Sequence, residues 1–272
     1  MRLAAVAAPF DRDLDADLER IGKAVAEARA EGANLVAFPE AALGGYLSDL
    51  EGEAPPPPAL RVDGPEIAQL IRIAGDDTVV VAGFCEADGE RQFNSAVAVG
   101  AGRVLGVHRK VHQPLSEDAT YAAGTGFAAF DTPVGRVGMM ICYDKAFPEA
   151  ARTLALDGAE IIACVSAWPS ARTNAAPDLA EDRWTRRFDL FDRARALENQ
   201  VVWVSANQSG EFGSLRFVAS AKVVDPGGDV LATTGVGEGM AIAEIDVPAA
   251  VDAARRYMGH LRDRRPHAYA AP

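Results

Sequence analysis

The amino-acid sequence predicts a layered α/β protein of one domain. Strand-like apolar segments alternate along the chain with segments in which apolar residues recur at helical spacing. Several strand-like segments, including residues 78–82 and 201–204, are apolar without alternation, which indicates sheets covered on both faces. No Pro-, Gly- or Ser-rich linker divides the 272 residues, so we expect one domain over residues 1–272.

The first elements alternate between strand and helix. Residues 1–9 are apolar and form the first predicted strand. A helix follows, since apolar residues recur at helical spacing before Gly32, which ends it; they are Leu14, Leu18, Ile21, Val25 and Ala28. Residues 35–38 form the next strand, and Gly64-Pro65 opens a second helix that ends near Ala74.

Three strands come next and lead into the second half of the chain. They cover residues 78–85, 93–99 and 103–109, with a hairpin turn at Gly100-Ala101-Gly102. Residues 137–141 predict a buried strand, and Pro148 opens a helix that Gly158 stops.

The last third contains one long helix among strands. A strand at residues 160–166 precedes this helix, predicted over residues 181–199, and four strands follow it, at 200–206, 217–224, 229–233 and 239–245. The turn Asp225-Pro226-Gly227-Gly228 separates the second of these strands from the third. The apolar face of the helix carries Trp184, Phe188, Phe191, Ala194 and Leu197.

Three predicted strands each end next to a side chain that can take part in catalysis. Cys142 follows strand 137–141 and precedes a helix, so its thiol is presented to a pocket and the N–H of Tyr143 is free to face a developing oxyanion. Glu40 and Lys110 follow the strands before them in the same way. Taken singly, these residues also fit a buried thiol, a surface carboxylate and a solvated cation.

The residues around these three positions resemble the signature blocks of the nitrilase superfamily of carbon–nitrogen hydrolases. The blocks are Phe38-Pro39-Glu40, Arg109-Lys110-Val111-His112, Ile141-Cys142-Tyr143-Asp144 and Phe147-Pro148-Glu149. The likeness runs nearly the whole length and includes the segments at residues 193–200, 206–210 and 262–266.

The resemblance implies a fold and a catalytic apparatus. The fold is a four-layer α-β-β-α sandwich, in which the helical layers of two protomers pack together as a homodimer or a higher homo-oligomer. Cys142 would be the nucleophile, Glu40 its base, and Lys110 and the Tyr143 N–H the oxyanion donors. Glu117, with Asp118 as its competitor, would position the substrate and Lys110. Trp168 would line the pocket.

Other polar residues in these blocks have structural interpretations. His108 and His112 flank Lys110 and offer an alternative Cys–His dyad, but two such residues more often satisfy backbone groups. Asp144 is expected to fix the turn after the nucleophile by hydrogen bonds. A polar network at the end of the long helix is predicted from Arg195, Glu198 and Asn199.

One departure from the family pattern concerns substrate recognition. Many relatives have Leu-Arg where this chain has Lys145-Ala146, so the arginine that often follows the nucleophile block is absent. Assignment to a subgroup that depends on that arginine is therefore in doubt. We expect Lys145 to point into solvent rather than into the pocket.

The leading functional hypothesis is hydrolysis of a small amide through a thioester, with release of ammonia. N-carbamoyl amines or acids and nitriles are alternative substrates, although true nitrilases tend to be longer than a chain that stops soon after Arg265-Pro266. A Cys-dependent acyltransferase uses the same groups. A silent scaffold is disfavoured because Glu40, Lys110 and Cys142 are all present.

Composition excludes several other classes. The net charge is −12, from 27 basic and 39 acidic residues, and no basic run occurs, which argues against nucleic acid and anionic membranes. No apolar run is long enough to span a bilayer, and residues 1–9 are too short for a signal peptide. Three cysteines without metal spacing fit a reducing, cytoplasmic location, and we expect no metal or organic cofactor.

Overall fold

The computed structural model describes residues 1–52 and 54–269. Its first half contains five strands and two helices. In chain order they are β1 (Arg2–Ala8), α1 (Leu14–Ala30), β2 (Ala33–Ala37), α2 (Pro65–Ala74), β3 (Val79–Asp88), β4 (Arg91–Gly100) and β5 (Arg103–Arg109). The predicted turn between β4 and β5 is present, with left-handed φ angles of +47° at Ala101 and +71° at Gly102.

The second half contains nine strands and three helices. In chain order they are β6 (Phe130–Thr132), β7 (Gly135–Ile141), α3 (Pro148–Leu156), β8 (Ile161–Ser166), α4 (Arg183–Asn199), β9 (Val202–Gln208), β10 (Glu211–Phe212), β11 (Leu215–Arg216), β12 (Lys222–Val224), β13 (Val230–Thr233), β14 (Gly239–Glu244) and α5 (Val247–Tyr257). Short 3₁₀ helices cover Glu117–Ala119, Cys142–Ala146, Leu179–Glu181 and Pro266–Ala268.

The strands form two sheets joined at one point. The first has the order β5-β4-β3-β2-β1-β14 and the second β6-β7-β8-β9-β12-β13. The ends of β1 and β9 join them, where Ala7 pairs with Asn207 and Ala8 with Gln208. β10 and β11 form a separate two-stranded hairpin.

The hydrophobic core has three layers, one between the sheets and one under each pair of helices. Side chains of both sheets, such as Leu35 and Val81 from the first and Met139 and Val165 from the second, share the central layer. Helices α1 and α2 cover the outer face of the first sheet. Helices α3 and α4 cover the second. This arrangement confirms the predicted four-layer α-β-β-α sandwich.

Two predicted elements differ from the structure for local backbone reasons. The strand expected over residues 217–224 is reduced to Lys222–Val224, because Ala219 and Ser220 have left-handed φ angles of +55° and +58° that a strand cannot accommodate. On α4, Phe188 is buried as expected, but Leu197 is exposed. The sequence reading also missed α5, β6 and the β10–β11 hairpin.

No helix among residues 1–52 and 54–269 combines the length and the apolar composition needed to cross a bilayer.

Candidate active site

Glu40 lies three residues beyond β2, and its carboxylate is buried. Oε1 accepts hydrogen bonds from Lys110 Nζ at 2.8 Å and Asn94 Nδ2 at 2.7 Å. Oε2 accepts one from the backbone N–H of Ala167 at 2.6 Å. Both carboxylate oxygens are therefore held in place from the sheets around them.

Gly83 allows the segment around Glu40 to lie directly on β3. Its N–H donates to Pro39 O at 3.1 Å. A Cβ at this position would stand 2.4 Å from Ala41 N and 2.6 Å from Glu40 Cα. Since real Cβ atoms do not come that close to backbone, any larger residue would displace the carboxylate.

Lys110 lies between two buried carboxylates. Its Nζ donates to Glu40 Oε1 at 2.8 Å and to Glu117 Oε1 at 2.7 Å. Its backbone is fixed by bonds to Asn94 O and from Gly124 N, each 2.8 Å long. Burial alone would lower the pKa of Lys110, but the carboxylates of Glu117 and Glu40 raise it well above the usual value. The ammonium therefore keeps its charge.

Glu117 begins a 3₁₀ helix and is fully buried, whereas its neighbour Asp118 is exposed. Its Oε1 accepts from Lys110 Nζ and from the hydroxyl of Tyr46. Within the described part of the chain, Oε2 has no hydrogen-bond partner. Burial raises the pKa of Glu117 to about 7, against the opposing effect of Lys110. Glu117, rather than Asp118, therefore supplies the second carboxylate at Lys110.

Cys142 stands at the sharp turn between β7 and the 3₁₀ helix that follows. Its φ is +48°, a left-handed conformation that is strained for any residue other than glycine and that clusters at functional sites. Burial and the Glu40 carboxylate raise the pKa of its thiol well above the usual value, although Lys110 opposes them. The thiol of Cys142 is therefore protonated in the folded protein.

Asp144 organises the turn that carries Cys142, as the sequence predicted. Its carboxylate accepts from the N–H groups of Ile141 at 3.2 Å, Val111 at 3.3 Å and His112 at 2.9 Å. Ring nitrogens of His108 and His112 bond to the same carboxylate, at 3.1 Å and 2.9 Å. Burial would raise the pKa of Asp144, but these bonds hold it well below the usual value. The two histidines thus serve Asp144, which leaves the dyad hypothesis without support.

The expectation that Lys145 points into solvent was wrong. Its side chain is fully buried, and Nζ donates to Asp192 Oδ1 at 2.7 Å while lying 3.1 Å from the centre of the Phe188 ring. Lys222 Nζ donates to the other oxygen of Asp192 at 2.9 Å. A buried acid on α4 and a favourable contact with an aromatic face thus replace solvent around the ammonium.

Arg195 ties α4 to the same 3₁₀ helix. Its guanidinium donates to Lys145 O at 2.8 Å and to Ala146 O at 3.1 Å, and it pairs with Glu198 at 2.8 Å. Asn199 Nδ2 donates to Arg195 O at 2.9 Å. The predicted polar network is therefore present, and it also holds the segment that follows Cys142.

A cavity of about 420 Å³ opens onto the thiol. Trp168 lies in its wall, fixed by bonds from its backbone N–H to Asn207 Oδ1 at 2.7 Å and from Nε1 to Trp184 O at 3.1 Å. The remaining wall is largely apolar; it comprises Tyr46, Leu50, Pro114, Leu115, Cys142, Tyr143, Ala146, Ala167, Pro169, Trp184, Arg187 and Phe191. Cys142 and Tyr143 therefore face a space suited to a small organic substrate.

Sequence reasoning missed three side chains that hold the site together. Tyr46 and Asn94 bond to Glu117 and Glu40, and Asp192 bonds to Lys145. Asn94 left a signal, because asparagine is uncommon in a strand as buried as β4. Asp192 left one because it shares a face of α4 with Phe188 and Ala196. Tyr46 lies in a loop, where no periodicity marks it.

The chain matches the model of the carbon–nitrogen hydrolase family over residues 2–255. It is 34% identical over 236 residues to a nitrilase of Pyrococcus abyssi, covering 86% of this chain and 84% of that one. It is 30% identical over 278 residues to the N-carbamoylputrescine amidase of Arabidopsis thaliana, covering 94% and 90%.

Solved structures resemble the whole chain. A glutamate-to-glutamine mutant of an amidase of Nesterenkonia sp. AN1 superposes with a TM-score of 0.78 and 25% identity, over 99% of this chain and 98% of that one. In that structure acrylamide has added to the active-site cysteine of the amidase.

Proposed function

The chain belongs to the carbon–nitrogen hydrolase family, and on that basis we propose that it hydrolyses the C–N bond of a small amide. The observation that carries the proposal is the buried ion cluster of Glu40, Lys110 and Glu117, next to a strained Cys142 that faces a cavity. In this arrangement Glu40 can act as the base, Cys142 as the nucleophile and Lys110 as the oxyanion donor.

Acylation follows from these positions. Glu40 takes the thiol proton as Cys142 Sγ bonds to the carbonyl carbon, and the carbonyl oxygen becomes an oxyanion. Lys110 Nζ and the N–H of Tyr143 donate to that oxyanion. The Tyr143 N–H is free to do so because the first N–H groups of a helix lack intrahelical acceptors. Glu40 then gives the proton to the nitrogen, the C–N bond breaks, and ammonia leaves a thioester on Cys142.

Deacylation uses the same groups in the second half of the cycle. Glu40 takes a proton from water, whose oxygen attacks the thioester carbon, and Lys110 again stabilises the oxyanion. The C–S bond breaks, Cys142 recovers its proton from Glu40, and the carboxylic acid leaves.

A screen for ammonia release tests the proposal. Aliphatic amides, N-carbamoyl amines and acids, and nitriles are offered to the wild type and to Cys142→Ala. We expect release from amides in the wild type alone. Ammonia released only from carbamoyl compounds would instead indicate an activity like that of the Arabidopsis relative. Ammonia released only from nitriles would indicate a nitrilase, as the Pyrococcus relative is named. No release from any class would contradict the proposal.

We also propose that the protein forms a homodimer through the layer of α3 and α4. Three leucines of this layer are exposed to solvent, namely Leu156, Leu190 and Leu197. Light scattering after size exclusion should give the dimer mass for the wild type and for Val107→Glu on β5, and the monomer mass for Leu190→Glu. A monomeric wild type would contradict the proposal.

We propose a cytoplasmic location because none of the three cysteines forms a disulfide in the described residues. Cys85, Cys142 and Cys164 are all free and buried, which fits a reducing compartment. Fractionation of the native cells with an antibody to the protein tests this.

A further inference from the structure

One face of α4 forms a wall of the cavity beside Cys142. Trp184, Arg187 and Phe191 occupy positions i, i+3 and i+7 of the helix, and all three line the cavity. The same wall thus presents two aromatic rings and one guanidinium to whatever binds next to the thiol.

Arg187 has no partner for its charge. Within residues 1–52 and 54–269 it makes no hydrogen bond and no salt bridge, whereas its neighbour Arg186 pairs with Glu181. Glu51, which follows the lining residue Leu50 in the chain, already pairs with Arg172 at 2.9 Å. The guanidinium of Arg187 is therefore available to a ligand.

The other residues that line the cavity carry no permanent charge. Position 146 contributes only the methyl group of Ala146, and the other ionisable groups in the wall are the Cys142 thiol and the hydroxyls of Tyr46 and Tyr143. Arg187 is thus the permanently charged side chain of the cavity wall. Arg187 is itself exposed to solvent, and its guanidinium suits a carboxylate because the planar fork donates two parallel hydrogen bonds to it.

We propose that Arg187 binds a carboxylate that the substrate carries in addition to its amide, so that the preferred substrates are monoamides of dicarboxylic acids. The inference rests on the proposed amide hydrolysis and adds the substrate class. Arg187 acts on specificity and takes no part in bond breaking.

The test compares matched pairs of amides that differ only in the terminal group. Succinamate, glutaramate and adipamate are paired with butanamide, pentanamide and hexanamide, so that chain length is also covered. kcat/KM is measured for the wild type, Arg187→Gln, Arg187→Lys and the control Arg186→Gln. Binding of the anionic amides to Cys142→Ala, with and without Arg187→Gln, is measured by calorimetry.

We expect the wild type to prefer the anionic member of at least one pair by about 10- to 100-fold, the factor that one charge-assisted hydrogen bond provides. Arg187→Gln should abolish the preference by slowing the anionic amide much more than its neutral partner, and Arg187→Lys should restore part of it. Arg186→Gln should behave as the wild type.

Three results would overturn the inference, and the third is distinguishable from the first two. If neutral amides are hydrolysed and no anionic partner is preferred, or if Arg187→Gln slows both members equally, the amidase function stands and the carboxylate site does not. If no amide of either kind yields ammonia, the proposed function fails and the carboxylate site fails with it.

Discussion

Cys142 is a protonated thiol whose pKa is raised by burial and by Glu40, and its reactivity therefore depends on transfer of the proton. Cys85 and Cys164 are also buried, and burial raises the pKa of each to about 12. Of these two, neither lines the cavity. Accessibility to the cavity, together with the carboxylate next to it, separates Cys142 from the other two.

The first prediction is that Glu40→Gln slows amide hydrolysis by a factor on the order of 10² to 10⁴, the usual contribution of a general base. The variant should also react with iodoacetamide more slowly than the wild type, because the thiol has lost its proton acceptor. Peptide mass analysis should place the added mass on Cys142. Loss of activity that follows modification of Cys85 or Cys164 instead would refute the assignment.

The second prediction concerns Glu117. A glutamine there keeps an acceptor for Tyr46 but removes the charge that holds Lys110 in place, so both kcat and kcat/KM should fall on the order of 100-fold. The protein should stay folded, and Cys142 should remain alkylatable because Glu40 is intact.

Asp118→Asn is the matched control for Glu117→Gln, since Asp118 is exposed on the same turn. It should turn over amides as the wild type does. A large loss in this variant, with near-normal turnover in Glu117→Gln, would move the positioning role to Asp118.

At the scale of elements, the 3₁₀ helix Cys142–Ala146 is held against α4 by buried charge. Asp192 accepts from Lys145, from Lys222 and from Trp203 Nε1, the last at 2.9 Å. Burial would raise the pKa of Asp192, but Lys145 and Lys222 lower it, so the carboxylate stays ionised. One acid therefore pairs with two ammonium groups, one from the 3₁₀ helix and one from β12.

The third prediction ranks two variants of this cluster. Asp192→Asn leaves two buried ammonium groups without their shared carboxylate and should cost about 3–5 kcal/mol of the free energy of unfolding. Lys145→Leu should cost less, because Asp192 keeps Lys222 and Trp203 and leucine suits the aromatic surroundings. Urea unfolding measures both, with Asp189→Asn, at the solvent edge of Lys222, as the mild control. Equal losses for the two variants would contradict this account of the cluster.

Sequence patterns predicted elements best where the signal is local. The helix Pro65–Ala74 has its opening proline and its closing glycine in the sequence, and the structure has the same bounds. The strand over residues 217–224 was predicted too long, because the left-handed φ angles at Ala219 and Ser220 follow from packing and not from residue type. Lys145 was misplaced for a similar reason: its partner Asp192 is 47 residues away in sequence.

At the scale of the whole molecule, the candidate site depends on both sheets. Glu40 and Lys110 follow strands of the first sheet, and Cys142 follows a strand of the second. The resemblance to a known family predicted that these three residues act together, and the contacts around Glu40 and Lys110 are now defined. The contacts of Tyr46 and Ala167 could not be predicted, since Tyr46 lies in a loop and Ala167 contributes only a backbone N–H from the facing sheet.

The stability of the whole molecule should depend on Asp17, a buried carboxylate of α1. It accepts from Gly44 N at 2.9 Å and Asp11 N at 3.3 Å, and so ties the helical layer to the loop that leads to Tyr46. Burial nevertheless raises its pKa from 3.8 to about 7. Between these two values the folded protein holds a proton that the unfolded chain has lost.

The fourth prediction follows from this difference in bound protons. Stability rises with pH only where the unfolded state binds more protons, so here the free energy of unfolding should decline as the pH rises from about 4 to about 7. The share due to Asp17 is at most about 4 kcal/mol, from roughly three units of pKa at 1.36 kcal/mol each. Glu117, whose pKa is also raised to about 7, adds a decline of the same sign.

Asp17→Asn should therefore flatten the pH dependence of the free energy of unfolding without removing it, and Asp15→Asn, on the exposed side of α1, should leave it unchanged. Urea unfolding at intervals from pH 4.5 to pH 7.5 measures the slope rather than the absolute stability, which the loss of one hydrogen-bond acceptor also changes. An unaltered slope in Asp17→Asn would mean that the carboxylate is ionised in the folded protein at pH 5, and that the two backbone N–H groups outweigh its burial.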